Sequence, residues 1–356
     1  MMENKLYIED LEQINKTDIP WEELQGKAVL VTGANGLIGS VLVDTLIYRN
    51  EVMQAETDIW VLVRNEDLLR EKFGKYFGRK YFHYLIQDVC LDIKVEKKID
   101  YIIHAASKGD PRSFVSDPVG IMNANYLGML HVLELAKEKK SKKVIYISSG
   151  EVYGIVKAET ISSEYKGIHE EEYGYLDILN PRACYASSKR AAETLCISYS
   201  KQYGIDVSIA RPCHTYGPTM LESDSRVVNE FIRSTIEHSD IVLKSLGLQQ
   251  RSYCYVADTA AAIFTLLLSG EKNEAYNISN PNSILTIKEL AELLTRIGGT
   301  KIRYEIPDSI EKSGYSDIVH AVLDARKLYE LFWRPSYDIE KGIIRSTKIL
   351  ADRYKP

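Results

Sequence analysis

The stretch Val31-Thr32-Gly33-Ala34-Asn35-Gly36-Leu37-Ile38-Gly39 decides the fold. Before it runs Lys27-Ala28-Val29-Leu30-Val31-Thr32, a short apolar segment of the kind a buried parallel strand needs. After it the spacing predicts a helix over Leu37 to Leu46. Gly33, Gly36 and Gly39 lie between strand and helix. Glycine permits a sharp turn and lets backbone approach a pyrophosphate closely. The start of the helix then offers unused N–H groups and a partial positive charge. Gly33, Asn35, Gly36, Leu37, Ile38 and Gly39 are therefore candidate dinucleotide contacts.

Outward from this turn, strand and helix patterns alternate as far as Arg211, as in a doubly wound parallel α/β sheet. The second strand, Asp58 to Val63, ends at Arg64 and Asn65. A carboxylate there accepts from the adenosine ribose hydroxyls, whereas an arginine pairs with a 2′-phosphate. Arg64 thus points to NADP, or it is a solvated side chain and Asn65 or Glu66 serves the ribose. Asp88, with Val89 beside it, follows the apolar run Tyr84-Leu85-Ile86. It is placed either to accept from the adenine amino group or to hold an ordinary turn. A fourth strand, Tyr101 to His104, leads into the small residues Ala105-Ala106-Ser107, which let the chain pass close to a cofactor.

A fifth strand, Lys143 to Ser148, delivers Ser148, Ser149, Gly150 and Glu151 to the carboxyl edge of the sheet, where open α/β sheets bind ligands. Tyr185 opens a helix and stands four residues before Lys189, so the two share a face. A phenol of pKa about 10 is a poor base near neutral pH. A neighbouring ammonium and a positive nicotinamide favour its phenolate. Tyr185 can then take an alcohol proton while hydride leaves, with Ser149 hydrogen-bonded to the same oxygen.

With these residues assembled, the chain resembles the extended short-chain dehydrogenase/reductases, a Rossmann-like group, and within it the nucleotide-sugar epimerases, dehydratases and decarboxylases. The resemblance runs from Lys27 to Tyr337. It includes His104-Ala105-Ala106-Ser107, Asn125 with Gly128, Ser148 through Gly154, and Ala210-Arg211-Pro212 before Tyr216-Gly217-Pro218. It continues in Arg226-Val227-Val228, Arg251 through Val256 with Asp258, and Leu323-Asp324-Ala325. Asn180-Pro181-Arg182-Ala183-Cys184-Tyr185 followed by Lys189-Arg190 looks most like the UDP-glucuronate decarboxylases.

The resemblance implies a nucleotide-diphosphate sugar as substrate, oxidised transiently at C4, and a bound cofactor recycled within one turnover, for which the family favours NAD. It places Asn125, Tyr185 and Lys189 at the cofactor. It sets Ser149 against the sugar 4-hydroxyl, Glu151 beside C5, and Lys108, Gly150 and His214 along the substrate. A 4-keto sugar acidifies C5–H and labilises a C6 carboxylate, so decarboxylation of UDP-glucuronate is the first expectation, 4-epimerisation the second and 4,6-dehydration the third. Glu151 either serves that later step or only hydrogen-bonds its loop. Three positions depart from the pattern. Gly150 stands where decarboxylases usually carry Ser and many dehydratases Asp. His214 replaces an asparagine that binds diphosphate, and the C-terminal arginine some decarboxylases use has no clear counterpart near His320. The missing Asp weakens the dehydratase reading, and the changes at Gly150 and His214 leave room for a catalytically silent dinucleotide-binding regulator. Arg226 and Arg251 are candidates for the diphosphate, since arginine binds phosphate bidentately, or they are ion-paired.

The chain has 356 residues and 45% hydrophobic content, ample for a large core. Net charge is −5 with no dense basic run, which argues against nucleic acid as a partner. Five cysteines lie scattered without metal-ligand spacing, so no metal site is expected and a reducing cytoplasm is. No apolar run approaches a membrane span. Residues 1–26 read as an N-terminal extension, with a short amphipathic helix at Ile8 to Ile14. Residues 27–212 read as the dinucleotide-binding domain, to which 258–280 returns, and 213–257 with 281–356 as a smaller, mixed C-terminal substrate lobe. Asp258 is a plausible N-cap for a helix at Thr259 to Leu268, and Thr286 for one at Leu285 to Ile297. The Glu170-Glu171-Glu172 run reads as solvated. Two helices, Asn123 to Lys137 and Ala186 to Tyr203, carry Met122, Met129, Val132, Leu133, Leu195, Cys196 and Tyr199, more apolar surface than one sheet face needs. The family's four-helix packing makes a C2 homodimer through them the expectation.

Overall fold

A computed structural model of the chain describes residues 1–156, 167–305 and 318–353. The apolar run before the glycine turn is β1 (Ala28–Thr32), buried throughout. There follow β2 (Asp58–Val63), β3 (Phe82–Ile86), β4 (Tyr101–His104), β5 (Lys143–Ile147), β6 (Val207–Pro212) and β7 (His214–Tyr216). Then come β8 (Ile241–Leu243), β9 (Gln250–Tyr255), β10 (Ala275–Ile278), β11 (Ile284–Thr286), β12 (Ile302–Tyr304) and β13 (His320–Ala321). The helices are α1 (Lys5–Asn15), α2 (Leu37–Met53), α3 (Glu66–Phe73), α4 (Pro111–Ser116), α5 (Pro118–Lys139), α6 (Cys184–Tyr203), α7 (Val227–Ile236), α8 (Val256–Ser269) and α9 (Ile287–Gly298), with a last helix at Ile339–Arg353.

Seven strands form one parallel sheet in the order β10-β6-β5-β4-β1-β2-β3. Alternating side chains cover both faces. Val29, Val31, Ile103 and Ile145 pack in one core with residues of α2 and α8, and Leu30, Ile102, Val144 and Tyr146 in another with residues of α5 and α6. The chain steps outward from β1 through β2 to β3, then crosses back to β4 on the other side of β1. That reversal is the switch point where open α/β sheets take their ligands. The segments leaving β1 and β4 are the glycine turn and Ala105–Ser107. Around β9 a small mixed sheet joins β7, β11 and β13, and β8 pairs with β12. Among the described residues no helix is long and apolar enough to cross a membrane.

Four expectations need correction. The N-terminal helix is longer than Ile8 to Ile14, because Asn4 caps it by accepting from the Tyr7 N–H. It buries Tyr7, Leu11 and Ile14, and ties itself down where Tyr7 donates to Asp44 (2.7 Å) and Tyr255 donates to Asp10 (2.6 Å). Asp258 is not an N-cap: α8 begins at Val256, and the Asp258 carboxylate accepts instead from the N–H groups of Ser336 and Tyr337. Thr286, by contrast, caps α9 in a capping box with Glu289. Glu170 is buried, with the Asn277 N–H donating to it at 2.8 Å, whereas its run reads as solvated from sequence. Finally, Met129, Val132, Leu133 and Cys196 are fully buried within the chain, in the core between the sheet and α5 and α6. Val119, Met122 and Tyr126 of α5 and Tyr203 of α6 stay exposed, and with the half-buried Leu195 and Tyr199 they are what these two helices leave for a partner.

Candidate active site

Gly33 adopts φ +68°, and a Cβ there would lie 2.7 Å from the Ala105 carbonyl oxygen and from Ala106 backbone atoms. The turn leaving β1 thus runs against the segment leaving β4, an approach only glycine allows. Gly36 precedes α2 with no side-chain cap, so the N–H groups of Leu37, Ile38 and Gly39 face outward from a bare helix start. Asn35 donates to the Asn65 carbonyl at 3.0 Å, while its own buried side-chain oxygen has no hydrogen-bond partner among the described residues. Lys72 holds the loop through the Asn35 carbonyl and the Ser40 hydroxyl, at 2.8 and 2.9 Å. A glycine cradle with uncapped N–H groups suits the phosphates of a dinucleotide.

Arg64 and Asp88 form an ion pair at 3.5 Å, both substantially exposed. Asp88 also accepts from the Cys90 N–H at 2.9 Å. Burial raises its carboxyl, but the Cys90 bond and Arg64 together hold it below the ordinary range. Val89 packs against α5 where a Cβ on Gly128 would meet it at 2.8 Å. Asn125 is buried with both ends of its amide engaged inside the protein, by Ser107 and by Ser188.

Beyond β5, Ser149 starts a short turn, Gly150–Tyr153, and its hydroxyl oxygen accepts the Glu151 N–H at 3.2 Å. Glu151 is half-buried. Desolvation pushes its carboxyl up, against the opposing pull of Arg182 and Arg251. Tyr185 lies in the first turn of α6, which begins one residue earlier, at Cys184. Its ring stacks on Phe114 at 4.7 Å. Burial raises this phenol; Ser149 opposes the shift, the Glu151 charge adds to it, and Arg226 and Ser107 oppose it. Lys189 lies with its ammonium 5.6 Å from the Tyr185 ring centre and donates to the Ile147 carbonyl at 2.8 Å. Burial pulls Lys189 down to about 7.

Further out, the fates of the two arginines differ. Arg226 is forked onto Asp224 (Nε to Oδ1 3.0 Å, Nη2 to Oδ2 2.5 Å), the ion-paired alternative. Arg251 is buried and donates to the carbonyls of Gln250, Ile318 and Val319, with its charge directed toward Glu151. The His214 Nδ1 is buried without a hydrogen-bond partner among the described residues, and burial together with Arg251 and Arg226 pulls the ring down to about 3, so it is neutral. Gly150 meets Leu323: a Cβ there would stand 3.0 Å from Leu323 Cδ1, so a serine must displace it. Lys108 lies exposed, 4.0 Å from Asp117. Three participants escaped the sequence reading. Phe114 stacks on Tyr185 from α4, Gly109 passes close enough that a Cβ would touch the Tyr185 hydroxyl at 3.5 Å, and Arg182 stands beside Glu151. None carries a local signal, although Arg182 lies in the Asn180–Tyr185 run that marks the resemblance.

Comparison with known proteins follows the same lines. The profile of the NAD dependent epimerase/dehydratase family matches residues 29–279. UDP-glucuronic acid decarboxylase 6 of Arabidopsis thaliana is 32% identical over 320 residues, covering 88% of this chain and 86% of that protein. UDP-glucuronic acid decarboxylase 1 of Xenopus tropicalis is 31% identical over 325 residues, covering 90% and 71%. Among solved structures, the UDP-glucose 4-epimerase of Thermotoga maritima with UDP-glucose superposes with a TM-score of 0.77 at 23% identity, over 92% of this chain and 100% of that one. The dTDP-glucose 4,6-dehydratase of Streptomyces venezuelae with NAD bound gives 0.77 at 23%, over 91% and 97%. These structural likenesses speak to the fold.

Proposed function

This chain belongs to the NAD-dependent epimerase/dehydratase family and is a nucleotide-sugar-modifying enzyme; we propose that it decarboxylates UDP-glucuronate. The observation that carries this reading is the charge around Glu151. Two guanidinium groups, Arg182 and Arg251, act on one carboxylate whose pKa burial has raised. Guanidinium groups beside C5 favour a sugar that brings its own C6 carboxylate over a neutral hexose. The relatives that are named as UDP-glucuronic acid decarboxylases support the same choice.

In this reading the glycine cradle and the start of α2 hold the dinucleotide's phosphates, and its nicotinamide, when bound, supplies reversible two-electron oxidation at sugar C4. Ser149 and Tyr185 hold the 4-hydroxyl between them. Tyr185 takes its proton, with Lys189 close enough to share the charge. The resulting ketone draws in the electron pair of the C5–C6 bond as carbon dioxide leaves. Glu151, its carboxyl raised by burial, is placed to deliver a proton to C5 directly or through water. Tyr185 then returns its proton to the C4 oxygen. Incubation with UDP-glucuronate tests this: a product lighter by carbon dioxide is expected. An unchanged mass with inverted C4 would identify a 4-epimerase instead.

For the cofactor we propose NAD. Arg64 is engaged by Asp88, so a 2′-phosphate would have to compete with a carboxylate already in place. Titration with both dinucleotides should show NAD binding more tightly; the reverse order would reassign Arg64 to the 2′-phosphate. We also propose a C2 homodimer through α5 and α6, around Met122 and Tyr126, which light scattering at micromolar concentration tests.

A further inference from the structure

Two segments far apart in the chain meet on one carboxylate. Asp110 precedes α4, and its Oδ2 accepts the Ser113 N–H and the Ser113 hydroxyl, each at 3.2 Å. That side is an ordinary helix N-cap. Its Oδ1 accepts the Ser225 N–H at 3.0 Å and also the Ser225 hydroxyl. Ser225 lies 115 residues later, just before α7. A carboxylate has about four lone-pair sites, and here two are filled by each segment.

The far side of this junction is itself anchored. Next to Ser225, Arg226 forks onto Asp224 and donates to the Thr215 carbonyl of β7 at 3.3 Å. Arg233 of α7 donates to the Asp224 carbonyl at 2.7 Å. The near side is not anchored in this way. With six residues, α4 is too short to hold a helix by itself. The other tie from α4 to α7, Arg112 to Glu230 at 2.9 Å, is an exposed ion pair of little worth.

What the near side carries is the cover of Tyr185. Phe114 of α4 stacks on the Tyr185 ring at 4.7 Å and 17°, and a Cβ on Gly109 would stand 3.5 Å from the phenolic oxygen. Gly109 is exposed, whereas Tyr185 behind it is 8% exposed. This segment is therefore a wall between the phenol and water.

We propose that Asp110 is a positioning residue that clasps the α4 segment to Ser225 and so keeps Phe114 and Gly109 closed over Tyr185. Only a carboxylate can do this. An amide has one acceptor oxygen, and its NH2 end would face N–H groups. Asp110→Asn must give up one side. The cap partner is three residues away and Ser225 is 115, so the cap is kept and Ser225 is released.

The role given to Tyr185 rests on the proposed function, but the clasp can be tested without turnover. Tyrosine labelled with carbon-13 at the ring ε positions reports each tyrosine by NMR, and Tyr185→Phe identifies the Tyr185 signal among the 24 tyrosines. A soluble gadolinium chelate broadens the signals of groups that water reaches. The Tyr185 signal should resist it in the wild type and broaden in Asp110→Asn. Ser225→Ala removes the hydroxyl and leaves the N–H, so it should broaden the signal less. The double variant should match Asp110→Asn, because the two side chains make one contact. Turnover of UDP-glucuronate should fall about tenfold in Asp110→Asn, since slight misplacement of a reacting group costs at least that. Dinucleotide affinity should be unchanged. A Tyr185 signal as protected in both variants as in the wild type overturns the clasp, as does full turnover by an unprotected Tyr185. Loss of protection in a protein whose wild type leaves UDP-glucuronate unchanged would support the clasp and reject only the substrate assignment.

Discussion

Arg211→Met should destabilise this protein more than any single change at its surface. Arg211 is 2% exposed, and its guanidinium donates to Glu193 through Nε (3.0 Å) and Nη2 (2.6 Å). It also donates to the Tyr153 hydroxyl, the Glu170 carbonyl and the Tyr173 hydroxyl, at 2.9, 2.7 and 2.7 Å. Glu193 lies one helical turn beyond Lys189 on α6, so this pair anchors the helix that carries Tyr185 and Lys189. Methionine replaces most of the volume and donates nothing, leaving the Glu193 carboxylate charged in a dry site. Breaking a buried pair from one side costs about 3–5 kcal/mol. In a domain of this size each kcal/mol moves Tm by about 2 °C, so the expected fall is about 6–10 °C. Removing Glu193 as well, in Arg211→Met/Glu193→Met, takes away the stranded charge and should recover much of the loss. Thermal unfolding followed by circular dichroism at one pH measures all three proteins. A fall of less than about 2 °C in the single variant, or a double variant no more stable than the single, would show that the pair is not what holds α6.

Tyr185→Phe should abolish turnover of UDP-glucuronate while isothermal titration shows cofactor affinity little changed, since only the proton acceptor is removed; retained turnover would place the base elsewhere. Glu151→Gln should spare oxidation at C4, seen as accumulating reduced cofactor at 340 nm on mixing with substrate, and slow the step after it; loss of the absorbance rise would give Glu151 an earlier role. Lys189→Met should be inactive yet stabilised at pH 6 by denaturant unfolding. The sign follows from burial: the folded-state pKa of Lys189 is about 7 against an unfolded 10.5, so the cost of its buried charge is fully present below 7 and disappears as pH rises toward 10.5. The advantage of methionine should therefore shrink between pH 6 and pH 9, and an advantage that grows with pH would contradict the assignment.

Features that depend on near neighbours in the chain were legible in the sequence, and features that depend on distant ones were not. The strand, the glycine turn and the start of α2 follow one another within a dozen residues, so composition alone specifies them, and Thr286 with Glu289 does the same for α9. Asp258 has every local property of a cap. Its partners, the N–H groups of Ser336 and Tyr337, come from nearly eighty residues away and override them. Glu170 reads as a solvated acid because nothing nearby shows that Asn277 donates to it. Helical periodicity revealed that Met129, Val132 and Leu133 share an apolar face but not whether the sheet or a second subunit covers it. Arg226 and Arg251 read from sequence as diphosphate candidates or as ion-paired side chains. Only the fold shows one pinned by Asp224 two residues earlier and the other directed at Glu151. The site divides in the same way. The candidates Tyr185, Lys189, Ser149 and Glu151 lie on two short segments whose spacing singles them out. That Asp110 holds Ser225 as well as the cap of α4 depends on segments 115 residues apart meeting. Residue types announce which groups can exchange a proton, whereas the contacts that hold those groups in place are a property of the packed structure.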